Sequence, residues 1–153
     1  MKARYIILVI ALFSAATCFG QNKLFDKFSE MDNVTSVYIS KAMFQMLPNI
    51  DAGGLNLGDM KEKIESLKIL TTEDKSTAEK MRKDFSSLEK RDREELMRVR
   101  DGDTRATFFA IKDGDTITEL FMLADSDDNF VIIQLLGRFT LQDIQNITNV
   151  VSK

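Results

Sequence analysis

The chain has 153 residues, of which 44% are hydrophobic and 29% are charged, so a folded globular protein is expected rather than a disordered one. Its formal net charge of −3 favours a solvated acidic surface and argues against nucleic acid or anionic lipid as a partner. The sequence contains no histidine, which removes the commonest metal ligand and the side chain most often used for acid–base catalysis near neutral pH.

Residues 1–20 have the pattern of a secretory signal peptide. Two basic residues precede an apolar run at residues 5–13, which is too short to span a bilayer but suits the core of an export signal. Small residues follow this run, and they favour cleavage between Gly20 and Gln21. The pattern therefore predicts export to the periplasm or the outer envelope.

Cys18 leaves an alternative form of processing open. A lipoprotein would carry its lipid on this cysteine and would be anchored to the membrane, although Ala15 and Thr17 match the usual lipoprotein signal poorly. We predict a single domain over residues 21–153 with no transmembrane span, because no later segment is long and apolar enough. Contact with a membrane is then expected only if Cys18 is lipidated.

The first part of the expected domain alternates between helix and strand patterns. In chain order we predict a short helix through Leu24, Phe28 and Met31, a strand over residues 34–39, a helix between Ser40 and Pro48, a loop over residues 49–58, and a helical turn leading into a strand over residues 60–71.

Residues 74–91 predict an amphipathic helix, because apolar residues recur there at intervals of three and four. Ser76 and Glu79 have the spacing of a capping box at its start. The basic residues between positions 80 and 100 are interleaved with acidic ones, a pattern typical of a solvated helix face.

Repeated turns mark the last third of the chain. Asp-Gly-Asp-Thr occurs at residues 101–104 and again twelve residues later, and a third turn rich in aspartate follows at the same interval. Asp-Gly between β-rich runs is a strong hairpin signal, because glycine tolerates the positive φ of a tight turn. We predict strands over residues 94–100, 105–112, 116–124 and 130–137, followed by a helix that Thr140 caps together with Asp143.

These elements predict an α+β fold: a four-stranded antiparallel meander, plus one or two N-terminal strands, with amphipathic helices packed on the sheet. The strand over residues 130–137 is apolar on both faces except for Gln134. Such a strand is expected to be central or covered on two sides.

The candidate motifs do not support catalysis, a cofactor or a bound metal. The turn at residues 125–129 begins like a calcium loop, but Phe130 and Leu136 stand where that loop requires glycine and glutamate. Met43 and Met46 are soft ligands that would suit Cu(I), yet no histidine is present to complete a set. We therefore expect no catalytic, metal-binding or cofactor-binding residue.

Four sequence blocks, at residues 34–43, 94–99, 118–120 and 136–144, carry a resemblance to a known family. The chain resembles domain-of-unknown-function family 4252, a family of small exported proteins from Bacteroidetes. The resemblance covers nearly the whole chain after the signal and implies an envelope location, with some relatives being lipoproteins. It implies no activity and supplies no functional residue.

The expected function is that of a non-enzymatic module that binds another envelope protein or a peptide through its sheet, an edge strand or a helix groove. One alternative is a binder of a small or apolar molecule held between the sheet and the helices. A further alternative is a carboxylate-based hydrolase. The residues predicted to line a small-molecule site are Phe108, Phe109, Phe121, Met122 and Phe130.

Overall fold

A computed structural model of the protein describes residues 23–47, 51–52, 55–56, 60–87 and 93–151. The predicted signal peptide, its cleavage site between Gly20 and Gln21, and the alternative lipidation residue Cys18 lie outside the described residues. The helices are α1 (residues 23–29), α2 (Lys41–Met46), α3 (Lys75–Phe85) and α4 (Leu141–Val151). The strands are β1 (Thr35–Ser40), β2 (Asp51–Ala52), β3 (Leu55–Asn56), β4 (Ile64–Thr72), β5 (Glu94–Asp101), β6 (Thr104–Asp113), β7 (Thr116–Asp125) and β8 (Phe130–Phe139).

Six of the strands form one antiparallel sheet in the order β1-β4-β8-β7-β6-β5. Strands β5 to β8 follow one another as the hairpin signals predict, with Gly102 and Gly114 at φ values of 58° and 62° in the two Asp-Gly turns. The α+β class is therefore confirmed. The sheet has six strands, because the N-terminal strands β1 and β4 extend the predicted four-stranded meander beyond β8.

Two local predictions need correction. The segment predicted as a loop over residues 49–58 contains the short paired strands β2 and β3. Helix α3 is capped by Asp74 and not by the predicted Ser76, since Asp74 Oδ2 accepts hydrogen bonds from the Thr77 backbone N–H (2.9 Å) and hydroxyl (2.7 Å). The pKa of Asp74 lies below its usual value, mainly because of the hydrogen bond from the Thr77 hydroxyl and also because of the one from the Thr77 N–H.

Helices cover both faces of the sheet, which forms the middle of three layers. On one face, called the α1/α3 face, Phe25 and Phe28 of α1 join Met81 and Phe85 of α3 over strand residues such as Ile132. On the opposite face, called the α2/α4 face, the buried side chains include Phe44 of α2, Ile144 of α4 and strand residues Leu67, Ile117, Ile133 and Leu135. Strand β8 contributes to both clusters, as its two apolar faces predict.

The start of α4 is tied to the sheet by a set of polar contacts. The Thr140 N–H donates to Asp143 Oδ2 at 2.9 Å, and the Asp143 N–H donates to the Thr140 hydroxyl oxygen at 3.2 Å, which confirms the predicted cap. Lys63 Nζ donates to both carboxylate oxygens of Asp143, at 2.8 and 2.9 Å. Burial raises the pKa of Asp143, but the bonds from Lys63 and Thr140 outweigh it, so this pKa lies below its usual value.

Gly137 allows the turn before β4 to approach β8 closely. A Cβ atom at this position would overlap the backbone carbonyl oxygen of Lys63 and the ring of Phe139. That same carbonyl accepts a hydrogen bond from the Arg138 N–H at 3.0 Å, so the overlap falls on backbone that is already fixed.

We expect Gly137→Ala to lower the free energy of unfolding by about 1–3 kcal/mol, because the added methyl group forces backbone to move in a packed region. Chemical denaturation measures the change. Gly114→Asn is the matched control: its position faces open space, and asparagine tolerates a positive φ, so stability should stay near that of the wild type. Equal stability of G137A and the wild type would contradict the steric argument.

We expect Asp143→Asn to lower the free energy of unfolding by about 0.5–2 kcal/mol near neutral pH, because the contacts of the charged carboxylate are lost. The pKa of Asp143 is depressed in the folded state, so its contribution is fully present above the ordinary value of 3.8 and is lost as pH falls through the lower folded value. The difference between wild type and D143N should therefore shrink below about pH 4. Thermal unfolding from pH 7 to pH 2 measures this, with the exposed turn variant Asp115→Asn as control.

Candidate functional site

A groove with a volume of about 520 Å³ opens on the α1/α3 face, beside the end of α3 and over strands β5 and β6. Helix α3 packs against β4 and β8 and leaves this part of the sheet face uncovered among the described elements. We call this feature the arginine groove. It is lined by Arg82, Phe85, Ser86, Arg98, Val99, Arg100, Arg105, Thr107, Leu123, Asp125 and Phe130.

The alternation of strand side chains accounts for the composition of the groove. Two rows of cross-strand neighbours run across its floor: Arg98, Thr107 and Leu123 form one row, and Arg100, Arg105, Asp125 and Phe130 form the other. Phe85 from the last turn of α3 is fully buried against this surface. The floor therefore combines buried core side chains (Phe85, Leu123 and Phe130) with the arginines and Asp125 of the same strand rows.

Two of the four arginines in the groove are held by carboxylates of the chain itself. Arg82 donates from Nε to Asp125 Oδ2 at 2.7 Å and from Nη2 to Oδ1 at 2.5 Å. The hydrogen bond to Asp125 raises the pKa of Arg82. Arg98 donates to Glu95 Oε2 at 2.8 Å, three residues earlier on the same strand.

Arg100 and Arg105 lie directly opposite each other on β5 and β6, next to the first Asp-Gly turn. Asp125 is the cross-strand neighbour of Arg105, but Arg82 occupies both of its oxygens. Within the described ranges, Arg100 and Arg105 have no carboxylate within ion-pair distance. The lining holds four arginines and one aspartate, so its formal charge is +3 in a chain of net charge −3.

Beyond the turn end of the groove the surface becomes acidic. A shallower depression of about 370 Å³ shares Arg82, Arg100, Arg105 and Asp125 with the groove and adds Glu79, Gly102, Asp103, Ser126 and Asp127. The first and third turns of the meander lie together here, because alternate turns of a meander occupy the same end. Arg100 and Arg105 therefore lie between the groove and a group of carboxylates at its turn end.

A buried polar cluster lies near the groove on the same face. The Arg93 side chain is 1% exposed, with its guanidinium 4.7 Å from the centre of the Phe121 ring and 3.8 Å from Glu119 Oε1. Gln134 donates to the same Glu119 oxygen at 2.9 Å. These contacts connect the beginning of β5 to β7 and β8, which fixes the strand that carries Arg98 and Arg100.

The sheet divides the five residues predicted to line a small-molecule site. Phe109, Phe121 and Phe130 lie on the α1/α3 face, whereas Phe108 and Met122 lie on the α2/α4 face. Neighbouring residues of a strand point to opposite faces of the sheet, so the two side chains of each pair, 108–109 and 121–122, lie on different faces. All five are buried, and Phe130 lines the arginine groove.

The sequence pattern places the β5 arginines on a strand but does not identify the groove. The basic residues between 80 and 100 predict a solvated face and residues 94–100 predict a strand; the structure has Arg98 and Arg100 on β5, where they line the groove. Their i,i+2 spacing, and the symmetric placement of Arg100 and Arg105 about the Asp-Gly turn, are signals that a strand register would have revealed.

The residues of the two candidate metal motifs either make hydrogen bonds within the chain or face solvent. In the turn at residues 125–129, Asp125 binds Arg82, and the Ser126 hydroxyl is bonded to Asn129. Met43 and Met46 are exposed on α2. Across the described ranges, His, Cys, Asp and Glu side chains form no group of three or more that could hold a metal ion.

Among the residues that the structure describes, every helix is too short or too polar to cross a membrane. The chain matches no curated protein and no solved structure. A family model described as Domain of unknown function (DUF4252) matches residues 28–147, which span most of the chain, and this match confirms the resemblance seen in the sequence blocks. The chain therefore belongs to the DUF4252 family.

Proposed function

We propose that this protein is a non-enzymatic binding module of the cell envelope, which holds a segment of a partner protein or a peptide in the arginine groove. The observation that carries the proposal is the groove itself, which is lined by core side chains together with four arginines and is not covered by a helix among the described elements. A concave surface built on sheet strands favours recognition, because the backbone beneath the ligand is already ordered before binding.

The position of β5 supports a protein segment as the ligand. Strand β5 is the last strand of the sheet, so its outer backbone N–H and C=O groups have no neighbouring strand in the described sheet. Such an edge is a ready template for an extended chain. Every second side chain of a segment paired with β5 would project on the groove side of the sheet, next to Arg98 and Arg100.

The chemistry of the lining favours binding over catalysis. The Ser86 hydroxyl donates to the Lys83 carbonyl oxygen at 2.6 Å, and it has no basic partner in the lining. Asp125, the carboxylate among the lining residues, is engaged by Arg82. Arginine stays protonated, so it does not serve as a general base.

A small anionic molecule is the second candidate ligand. The groove volume of about 520 Å³ falls within the range of small-molecule sites. The residues of this site would be those of the groove, with Phe130 shared between it and the lining predicted from sequence.

The envelope location rests on the N-terminal sequence. We expect the protein isolated from its own cells to begin at Gln21 and to fractionate with the soluble envelope contents. Intact-mass spectrometry measures the start of the chain. A mass that corresponds to a chain starting at an acylated Cys18, found in the membrane fraction, would replace this processing with lipid anchoring.

A photo-crosslinking amino acid at Ser86, on the wall of the groove, tests the proposed function in living cells. We expect one recurrent crosslinked protein, and we expect Thr107→Trp to abolish that product because the indole fills the groove floor. Val37→Trp, which adds the same ring to an exposed site at the other edge of the sheet, should leave the product unchanged.

A crosslink that survives T107W would overturn the groove as the binding site. Native mass spectrometry of the purified protein separates the two ligand classes. A small bound molecule that is retained by the wild type and V37W but lost from T107W would replace the protein segment with the small-molecule alternative.

A further inference from the structure

We propose that Arg100 and Arg105 form a carboxylate-recognition pair, and that the segment bound in the groove is acidic. This inference rests on the proposed function, which by itself leaves the charge of the ligand open. It deepens that function by naming the group that the groove recognises.

The two arginines lie opposite each other on neighbouring strands, which is unfavourable without a ligand. Like charges directly opposite each other in an antiparallel ladder destabilise the sheet. Arg100 and Arg105 occupy such a pair, and Asp125 and Glu95 are already engaged by Arg82 and Arg98. The other nearby carboxylates, Glu79, Asp103 and Asp127, line the adjoining depression but lie beyond ion-pair distance of Arg100 and Arg105. An anion placed between the two guanidinium groups would convert this repulsion into two attractive interactions.

The shape of a guanidinium group also matches that of a carboxylate. A guanidinium presents a planar fork of N–H donors that matches the two oxygens of a carboxylate, and it keeps its charge throughout the accessible pH range. The apolar floor formed by Leu123 and Phe130 limits access of water from below, which strengthens a charged hydrogen bond above it.

Carboxylates beside the two arginines limit the length of the anion that the site accepts. Asp103, Asp127 and Glu79 line the adjoining depression, so a long polyanion running past Arg100 and Arg105 would meet repulsion there. The arrangement favours a short acidic segment over a nucleic acid, whose charges would continue past the two arginines into this depression. Charge complementarity therefore points to an acidic peptide as the occupant.

The test uses protein isolated as its own cells process it and labelled with ¹⁵N, so that the Arg Nε–H signals report the site. The probes are a capped tetraglutamate peptide, a capped tetraglutamine peptide and inorganic phosphate. We expect tetraglutamate to shift the signals of Arg100 and Arg105, and to bind at least about tenfold more tightly than tetraglutamine. Raising NaCl from about 50 mM to about 500 mM should weaken this binding.

The paired variant Arg100→Gln with Arg105→Gln keeps the size and polarity of the side chains but removes both charges. We expect it to weaken tetraglutamate binding by about tenfold or more, whereas Arg138→Gln, at an exposed site on β8, should stay within about twofold of the wild type. The paired variant should unfold at the same temperature as the wild type or at a higher one, because the repulsion is relieved. If the paired variant loses tetraglutamate binding but keeps its stability, the two arginines act in recognition and not in maintaining the fold.

Three results would overturn the inference. They are equal binding of tetraglutamate and tetraglutamine, unchanged binding by the paired variant, and tighter site-specific binding of phosphate than of tetraglutamate. Each of these results is distinguishable from failure of the proposed function. If tetraglutamate binds but Ser86 crosslinks to no protein, the carboxylate site stands without a protein partner; if the crosslink forms but tetraglutamate does not bind, the inference alone fails.

Discussion

Strand β8 buries apolar side chains on both of its faces, and the rest of the fold depends on covering them. Ile132 lies under α3 and Ile133 faces the opposite cluster, so a helix layer on one side alone would leave half of this strand in water. Strands β4 and β7 flank β8 and keep its backbone groups hydrogen-bonded. On the α1/α3 face, helix α3 packs against β4 and β8, which leaves the β5–β6 end of this face without a helix in the described chain and forms the arginine groove there.

The meander could be predicted from residues close together in the sequence. Most features that the sequence did not predict depend on contacts between distant segments. Gly102 and Gly114 supply the positive φ of their hairpin turns within four residues of sequence, so the order β5 to β8 follows directly. The start of α3 depends instead on Thr72, whose hydroxyl donates to the Asn33 carbonyl at 2.6 Å and accepts from the Asp74 N–H at 3.2 Å. Residue spacing within the helix alone therefore could not identify Asp74, and not Ser76, as the N-cap.

The candidate site likewise has features that depend on neighbouring residues and features that depend on distant ones. The opposition of Arg100 and Arg105 follows from the register of one hairpin and was available from the sequence once that hairpin was recognised. The bidentate bond between Arg82 and Asp125 joins residues 43 positions apart, and it determines which arginines are left without a carboxylate. Aromatic residues such as Phe108 and Phe109 were grouped by type, and only the pleat of the strand assigns them to different faces.

Arg93 connects the groove to the core through the register of β5. An edge strand with a bulge between Glu95 and Met97 is weakly specified, and a slip of one residue would turn Arg98 and Arg100 to the opposite face. A buried guanidinium has a large desolvation cost unless it is paired, so a slipped register that removed Arg93 from Glu119 and the Phe121 ring would be strongly disfavoured. The buried charge therefore favours the one register in which the arginines line the groove.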